Sequence, residues 1–279
     1  MKVSVSGTNG FLGKNIYNYL KLKKFEVLRV QRKFNNERQK FLEWNLGENL
    51  PNEVLESDIF IHCAFDNSKL EQQNNLKNNI NYIGLKKILA NLRNKQCKLF
   101  FISSQTANKK TVSNYGKLKF LSEKLIKKKK KVIIIKPGLI YCKKNSAVID
   151  SIKRILKFKI FLYFSKKKNI YPIHIKDFCE CIYRIIKVKK KKYVYYLGSP
   201  YPMSIVDFIK FVCRDNNLKH PLIILMPKNF SLFFAKILDF FKFSKLSLVE
   251  RIKSIDTMPL MNTFDSLKKI KLTSLNKFE

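Results

Sequence analysis

A serine, a tyrosine and a lysine have the types and spacing needed to move a proton. Tyr115 and Lys119 form a Tyr-x-x-x-Lys pair, and residues four apart share one face of a helix. A phenol has an ordinary pKa of about 10, and a lysine ammonium one turn away would lower it by stabilising the phenolate. Ser104 ends an apolar run upstream and could hydrogen-bond the same reacting oxygen. The set is typical of acid–base chemistry on an alcohol or a carbonyl.

A glycine-rich turn opens the chain. Gly7, Gly10 and Gly13 follow the alternating strand Lys2–Ser6 and begin the helical pattern Phe11–Leu22. In such a unit the first glycine allows the tight turn, the second lets a pyrophosphate approach the backbone, and the third lets the helix pack on the strand. The helix N-terminus then faces the anion. The turn therefore predicts a dinucleotide site, the alternative being a purely structural glycine turn.

The end of the second strand bears on which dinucleotide is bound. An acidic residue there normally binds the ribose hydroxyls of NAD. Here the position is Gln31, followed by Arg32, whose guanidinium could pair with a 2′-phosphate. We therefore expect NADP or NAD, with NADP slightly favoured. The alternative is that Arg32 is one of many surface cations.

Strand and helix patterns alternate through the first two-thirds of the chain. Further strand patterns lie at 26–30, 58–64, 98–103 and 132–135, and helix patterns at 81–92 and 114–127. Such alternation builds a parallel sheet with helices on both faces. We expect an α/β fold: a Rossmann-type doubly wound parallel sheet at 1–138, to which 173–197 returns, and a small C-terminal α/β substrate lobe formed by 139–172 and 198–279.

Two features of the last third guide its interpretation. Ser204 and Asp207 have the spacing of a capping box that opens a helix. The segment 230–243 has helical spacing of phenylalanines with lysines between them. We expect that helix to pack in the core or in a dimer interface rather than on a membrane.

The composition limits the class of partner. A formal net charge of +37 suggests nucleic acid. The basic residues are mostly lysine, however, among abundant Asn, Ile and Phe, as in AT-rich genomes, and no basic stripe alternates with aromatic residues. We expect no specific nucleic acid and a preference for anionic substrates. With no secretory signal and no transmembrane segment in the sequence, we expect a cytoplasmic protein.

The cysteines and histidines do not predict a metal site. Cys179 and Cys181 lie two apart in a helical pattern, where their side chains do not face each other. The other cysteines are scattered, as is typical of reduced thiols. His62, His174 and His220 are far apart in sequence, so we expect no metal. We expect His62, inside an apolar strand, to be structural.

The chain resembles the extended short-chain dehydrogenase/reductases, the NAD-dependent epimerase/dehydratase family that modifies nucleotide sugars. The segments that carry this resemblance are the glycine turn 7–13, the strand 58–64, the Asn-x-x-Gly helix at 81–84, the strand 101–104, the Lys-Pro-Gly-x-x-Tyr segment 136–141 and the His-x-x-Asp element 174–177. Together they cover nearly the whole length.

The resemblance implies roles for the matching residues. Ser104, Tyr115 and Lys119 would be the catalytic triad, with Lys119 also orienting the ribose. With Arg32 added, the cofactor-binding residues would be Gly7, Asn9, Gly10, Phe11, Leu12, Gly13, Arg32, Asn45, Cys63, Ala64, Tyr115, Lys119 and Pro137. Asn45, where the family usually has Asp, would touch the adenine. The substrate's nucleoside diphosphate would lie under the C-terminal lobe.

Departures from the family pattern narrow the expected reaction. Cys142 replaces a usual glycine, and Ala107-Asn108 replace a usual Val-Tyr. No Asp-Glu pair follows Ser104, which argues against a 4,6-dehydratase. We expect an NAD(P)-dependent sugar-nucleotide epimerase or reductase, a homodimer, resembling members linked to surface polysaccharides. Two alternatives stay open: a non-catalytic dinucleotide-binding accessory subunit, like that of respiratory complex I, and a basic membrane- or RNA-associated protein.

Overall fold

A computed structural model provides the fold. It describes residues 1–32, 40–68, 70, 75–127, 129–143, 147–157, 159–163, 165, 167–189, 191, 193–241, 248–255, 257–272 and 275. The strands are β1 (Lys2–Ser6), β2 (Glu26–Gln31), β3 (Leu42–Glu43), β4 (Ile59–His62), β5 (Lys98–Ile102), β6 (Val132–Pro137), β7 (Leu139–Tyr141), β8 (Ile160–Tyr163), β9 (Pro172–His174), β10 (Val194–Leu197) and β11 (Leu222–Leu225).

The helices alternate with these strands. They are α1 (Phe11–Leu22), α2 (Asn52–Leu55), α3 (Ile80–Asn91), α4 (Asn114–Ile126), α5 (Ala147–Leu156), α6 (Ile175–Lys187), α7 (Ile205–Asp215), α8 (Lys228–Phe240), α9 (Leu248–Ile255) and α10 (Thr263–Lys269), with a 3₁₀ turn at Leu76–Asn78 before α3. Among the described residues, no helix has the length and apolar character needed to cross a membrane.

A seven-stranded parallel sheet forms the centre of the fold. Its strand order is β10-β6-β5-β4-β1-β2-β3, and each neighbouring pair is parallel. The order reverses at β1, so the carboxyl ends of β1 and β4 open a crevice where ligands bind in such sheets. The predicted α/β class, a Rossmann-type doubly wound parallel sheet, is confirmed.

The sheet is covered on both faces. Val3, Val5 and Ile61 face one side, with α1 and α6. Phe60 and Leu99 face the other side, with α3 and α4. Because successive residues of a strand point to opposite faces, both sets of strand residues must be apolar. The burial of both faces explains why the strand patterns read as nearly continuous apolar runs.

The chain beyond β6 builds a smaller cluster beside the sheet. Tyr141, Ile149 and Phe208 share this cluster, and two short parallel pairs, β7–β9 and β8–β11, complete it. The predicted capping box is present at the start of α7, where Ser204 and Asp207 bond each other's backbone N–H groups. All six cysteines are free thiols.

Parts of the C-terminal half return to the sheet. α6 packs on α1, and α10 packs on β10, where Tyr196 N donates to Ser266 Oγ over 3.0 Å. Leu267 and Ile270 join the core that contains β1. The boundaries drawn from the sequence, with a lobe of 139–172 and 198–279, stay a prediction; within that lobe, α10 lies against the sheet.

Candidate active site

Two glycines of the first turn are required by the fold itself. Gly7 has a φ of +70°, and a Cβ on it would lie 2.8 Å from the backbone N and Cα of Ala64. A Cβ on Gly13 would lie 2.4 Å from the carbonyl oxygen of Gly7. Such distances are too short for carbon, so β1, β4 and α1 approach this closely only because both residues are glycine.

Gly10 differs from its two neighbours. It precedes the first turn of α1 and provides no side-chain cap, and a Cβ there would meet only the Gly7 oxygen, at 3.3 Å. Asn9 and Gly10 are exposed, and Phe11 and Leu12 are half-buried. The first N–H groups of a helix have no intrahelical partners and attract anions. The turn therefore offers an open anion-binding surface at Gly10.

The predicted positions at the end of β2 and after β3 differ in burial. Gln31 is buried, and its Oε1 accepts from Thr8 Oγ1 at 2.7 Å and from Arg29 Nη2 at 3.1 Å. Gln31 thus links the glycine turn to β2. Arg32 is exposed. Asn45 is half-buried, and its side-chain amide donates to Glu48 Oε1 at 3.0 Å.

A serine hydroxyl joins β1 to the loop after β4. Ser6 Oγ accepts from the N–H groups of Cys63, at 3.1 Å, and Ala64, at 3.2 Å. It lies 2.9 Å from His62 Nδ1. Burial lowers the pKa of His62 to about 3, so the ring is neutral. Because Ser6 Oγ already accepts two N–H bonds, its hydroxyl donates the hydrogen bond to Nδ1. The bond gives His62 a structural partner and holds Cys63 and Ala64 beside the glycine turn.

The structure brings Ser104, Tyr115 and Lys119 together at the carboxyl end of β5. Ser113 caps α4 by accepting from Gly116 N at 3.1 Å, which places Tyr115 in the first turn. The Ser104 side chain is close enough to Tyr115 to lower the tyrosine pKa, and its hydroxyl also hydrogen-bonds Thr106 Oγ1 at 2.9 Å and accepts from Thr106 N at 3.2 Å. Lys119 Nζ lies 5.9 Å from the centre of the tyrosine ring. The residues have the arrangement needed to bind and protonate one oxygen.

The protonation states differ from what the spacing predicts. Burial raises the pKa of Tyr115 to about 12, and only the hydrogen bond with Ser104 opposes that rise. Burial also lowers the pKa of Lys119 to about 8, although the nearby Cys63 and Glu123 act to raise it. The expected lowering of the tyrosine pKa is therefore not found in the polypeptide alone, because burial disfavours the charged phenolate more than Ser104 stabilises it. At neutral pH the phenol carries its proton.

An acidic residue on the same helix face was not predicted. Glu123 follows Lys119 by one turn, accepts from Ser103 Oγ, and pairs with Lys136 Nζ at 2.9 Å. Lys136 Nζ also donates to the carbonyl of Ala107 at 2.8 Å. The group thus joins α4, β5, β6 and the loop after Ser104. Tyr115, Lys119 and Glu123 follow one another at intervals of four residues, and this helical spacing could have indicated Glu123.

Phe65 and Gln105 make further contacts beside the site, and the sequence predicted neither of them. The edge of Phe65 meets the Tyr115 ring, with centroids 5.1 Å apart, and Lys119 Nζ lies 4.5 Å from the Phe65 ring. Gln105 Nε2 donates to the carbonyls of Asn169, at 2.6 Å, and Pro259, at 2.9 Å. The loop after Ser104 is thereby fastened to distant segments of the chain, which no local pattern indicates.

The remaining predicted position is Pro137, at the end of β6. It is buried, and its carbonyl accepts from Gln105 N at 2.9 Å, so it supports the loop that follows Ser104. Within the described ranges, no group of histidine, cysteine, aspartate and glutamate side chains could hold a metal ion.

Comparison with known proteins gives the family. The family described as the RmlD substrate binding domain matches residues 1–229. No curated protein sequence matches significantly. Three solved structures with the same fold are a dTDP-4-dehydrorhamnose reductase from Clostridium acetobutylicum (19% identity, 97% of this chain and 98% of that one, TM-score 0.64), the same enzyme from Bacillus anthracis with NADP (17%, 91% and 96%, 0.63), and a Bacillus cereus UDP-glucuronic acid 4-epimerase with NAD (17%, 81% and 86%, 0.64). The chain belongs to the RmlD substrate-binding-domain family, within the extended short-chain dehydrogenase/reductases that its sequence motifs resemble.

Proposed function

We propose that this protein is an NAD(P)-dependent enzyme that reduces a keto group, or epimerises a carbon, on the sugar of a nucleotide sugar. The observation that carries the proposal is the juxtaposition of Ser104, Tyr115 and Lys119. Lys119 is near Cys63, and the next residue, Ala64, lies against the glycine turn at Gly7. The family match supports it. So do the structural neighbours, which are reductases and epimerases of nucleotide sugars crystallised with NADP or NAD.

The residues around the glycine turn fit a dinucleotide. The open space at Gly10 is the one a Cβ would enter, and the start of α1 faces it. The residues that would hold the cofactor are Gly7, Asn9, Gly10, Phe11, Leu12, Gly13, Arg32, Asn45, Cys63, Ala64, Tyr115, Lys119 and Pro137. When bound, the nicotinamide would accept or supply a hydride at the sugar carbon. Exposed Arg32 would meet a 2′-phosphate, which favours NADP slightly.

The chain's own residues would manage the proton. Tyr115 would donate its proton to the oxygen of a keto group as that oxygen becomes an alcohol. Its pKa of about 12 keeps the phenol protonated at neutral pH, so the polypeptide is set for donation and thus for keto reduction. Ser104 would hydrogen-bond the same oxygen, and Lys119 would orient the ribose and stabilise the phenolate left behind.

The substrate and setting follow from the same proposal. The nucleoside diphosphate would lie under the lobe 139–172 and 198–279, where the strongly positive chain favours an anion. The resemblance to polysaccharide enzymes supports a role in making surface sugars, in the cytoplasm, by a homodimer.

Native mass spectrometry of the freshly purified protein tests the cofactor. We expect one NADP or NAD per chain, lost in a Gly10→Val variant that still folds. Tight dinucleotide binding without turnover on any UDP- or dTDP-linked keto sugar would instead favour a non-catalytic accessory subunit. The retained Ser104, Tyr115 and Lys119 speak against that alternative, since such a subunit has no use for them.

A further inference from the structure

Helix α8 turns its apolar side toward solvent. Phe230, Phe233, Phe234, Ile237 and Phe241 repeat at intervals of three and four, which places them on one face, and we call this set the aromatic face. Their side chains are 58%, 59%, 42%, 39% and 72% exposed.

The opposite side of α8 is the one that packs on the protein. Ser231 and Ala235 are buried, and α8 contacts α9. A surface helix normally buries its large apolar residues and exposes its small and polar ones. The sequence predicted a core or dimer helix; the exposure excludes the core within the part of the chain that the structure describes.

Positive charge borders the aromatic face. Lys236 lies on α8 three residues after Phe233, at the border of the aromatic face, and is exposed. Asp239, the acidic residue of α8, accepts from the N–H groups of Leu248, at 2.8 Å, and Val249, at 3.1 Å, so it caps α9. The surface is therefore apolar and cationic.

We propose that the aromatic face docks the protein on the surface of an anionic phospholipid bilayer. A helix that exposes a row of phenylalanines with lysine at its border can lie in the plane of the lipid interface. Apolar insertion and attraction of lysines to anionic headgroups add together, and stable attachment needs both. A chain of net charge +37 brings the second contribution.

A second copy of the chain fits this surface less well. A two-fold interface places the same patch against itself, so two surfaces of a chain with net charge +37 would face each other. Burying the aromatic faces together would therefore also bring like charges together. A lipid surface supplies the negative charge that the patch lacks.

Vesicle sedimentation tests the proposal with the full chain. The probes are phosphatidylcholine vesicles and vesicles containing about one-third phosphatidylglycerol. We expect binding to the anionic vesicles, weakening as salt is raised, and little binding to the neutral ones. Phe233→Ser/Phe241→Ser should lower the partition constant at least about tenfold, because it removes two aromatic side chains that would insert into the bilayer.

The matched control is Phe264→Ser. Phe264 is 61% exposed on α10, which packs on β10, so it loses the same side chain away from the aromatic face. We expect it to bind vesicles like the parent. Both variants must keep the parent's unfolding midpoint in urea and its dinucleotide binding.

Three outcomes would overturn the proposal. The parent could fail to bind anionic vesicles, or the control could lose as much binding as the double variant. Sedimentation equilibrium without lipid could also show a parent dimer that the double substitution converts to a monomer, which would make the aromatic face a contact between copies.

Discussion

The Lys119 ammonium donates a 2.7 Å hydrogen bond to the backbone carbonyl of Ile102. This bond fastens α4, which carries Tyr115, to the strand that leads into Ser104. One turn further along the same helix face, Glu123 repeats the attachment through Ser103 and Lys136. The relative positions of the three candidate catalytic residues therefore depend on two successive anchors between α4 and the sheet.

The buried lysine makes stability depend on pH. The pKa of Lys119 is lowered from 10.5 to about 8, so between those values the unfolded chain holds a proton there that the folded chain has released. Stability from this group therefore rises with pH from about 8 to 10.5 and is lost again as the pH falls from 10.5 to about 8. Urea unfolding from pH 7 to 10.5 should show the parent gaining stability relative to Lys119→Met, by up to about 3 kcal/mol.

The comparison with Lys119→Met cancels the other groups that titrate in the same window. Parallel stability curves for the two proteins would contradict the lowered pKa. The same variant should lose turnover severely and bind dinucleotide more weakly, because we assign Lys119 both a proton-transfer and a ribose-binding role.

We expect the ion pair between Glu123 and Lys136 to contribute to the free energy of unfolding. Their side chains are 15% and 10% exposed, so Lys136→Met leaves a poorly solvated carboxylate. We expect a loss of roughly 3 kcal/mol in the free energy of unfolding, partly restored in Glu123→Gln/Lys136→Met, because that variant removes the stranded charge.

The exposed pair Lys143–Asp215 gives the control. Its lysine side chain is 61% exposed, so Lys143→Met should cost under about 1 kcal/mol. If Lys136→Met and Lys143→Met unfold at the same urea concentration, the Glu123–Lys136 pair contributes no more to stability than an exposed ion pair.

Substitutions at Gly13 and Gly10 should have different effects, the first on stability and the second on cofactor binding. Gly13→Ala places a Cβ 2.4 Å from the Gly7 oxygen and should destabilise the protein by roughly 1–3 kcal/mol. Gly10→Val should fold, since its Cβ has space to within a few tenths of an ångström, but should lose dinucleotide binding in calorimetry. Unchanged cofactor affinity in folded Gly10→Val would refute the site.

Arg32 should decide between the two dinucleotides. Because Gln31 is bound to Thr8 and Arg29 and offers no carboxylate, we expect NADPH to bind at least as tightly as NADH. Arg32→Ala should weaken NADPH selectively. Arg93→Ala, an exposed arginine just after α3, should leave both affinities unchanged. A clear preference of the parent for NADH would contradict this prediction.

The sequence predicts what is local. The strand patterns at 2–6, 26–30, 58–64, 98–103 and 132–135 lie within a few residues of strands of the central sheet, and the Tyr115–Lys119 pair follows from helix geometry alone. The apolar runs of β8 and β11 were not predicted as strands. The strand β6 continues through Pro137, past the predicted stop at Ile135, since a proline at the end of a strand can keep the extended backbone.

Contacts between distant segments were not predictable. Phe65 against Tyr115, and Gln105 against Asn169 and Pro259, join residues whose separation in sequence leaves no period to read. The pKa of Tyr115 depends on burial, which also comes from such contacts. For α8 the period indicated an amphipathic helix, but only the tertiary structure decides which face it buries.

The most direct test of the central claim is hydride transfer by Tyr115→Phe. Removing the hydroxyl alone leaves the ring against Phe65, so the fold and dinucleotide binding should be kept. Turnover on a panel of UDP- and dTDP-linked keto sugars, followed by nicotinamide absorbance, should fall by roughly 10²-fold or more. If Tyr115→Phe turns over a substrate of the parent at the parent's rate, Tyr115 does not transfer the proton and the proposed catalytic site is wrong.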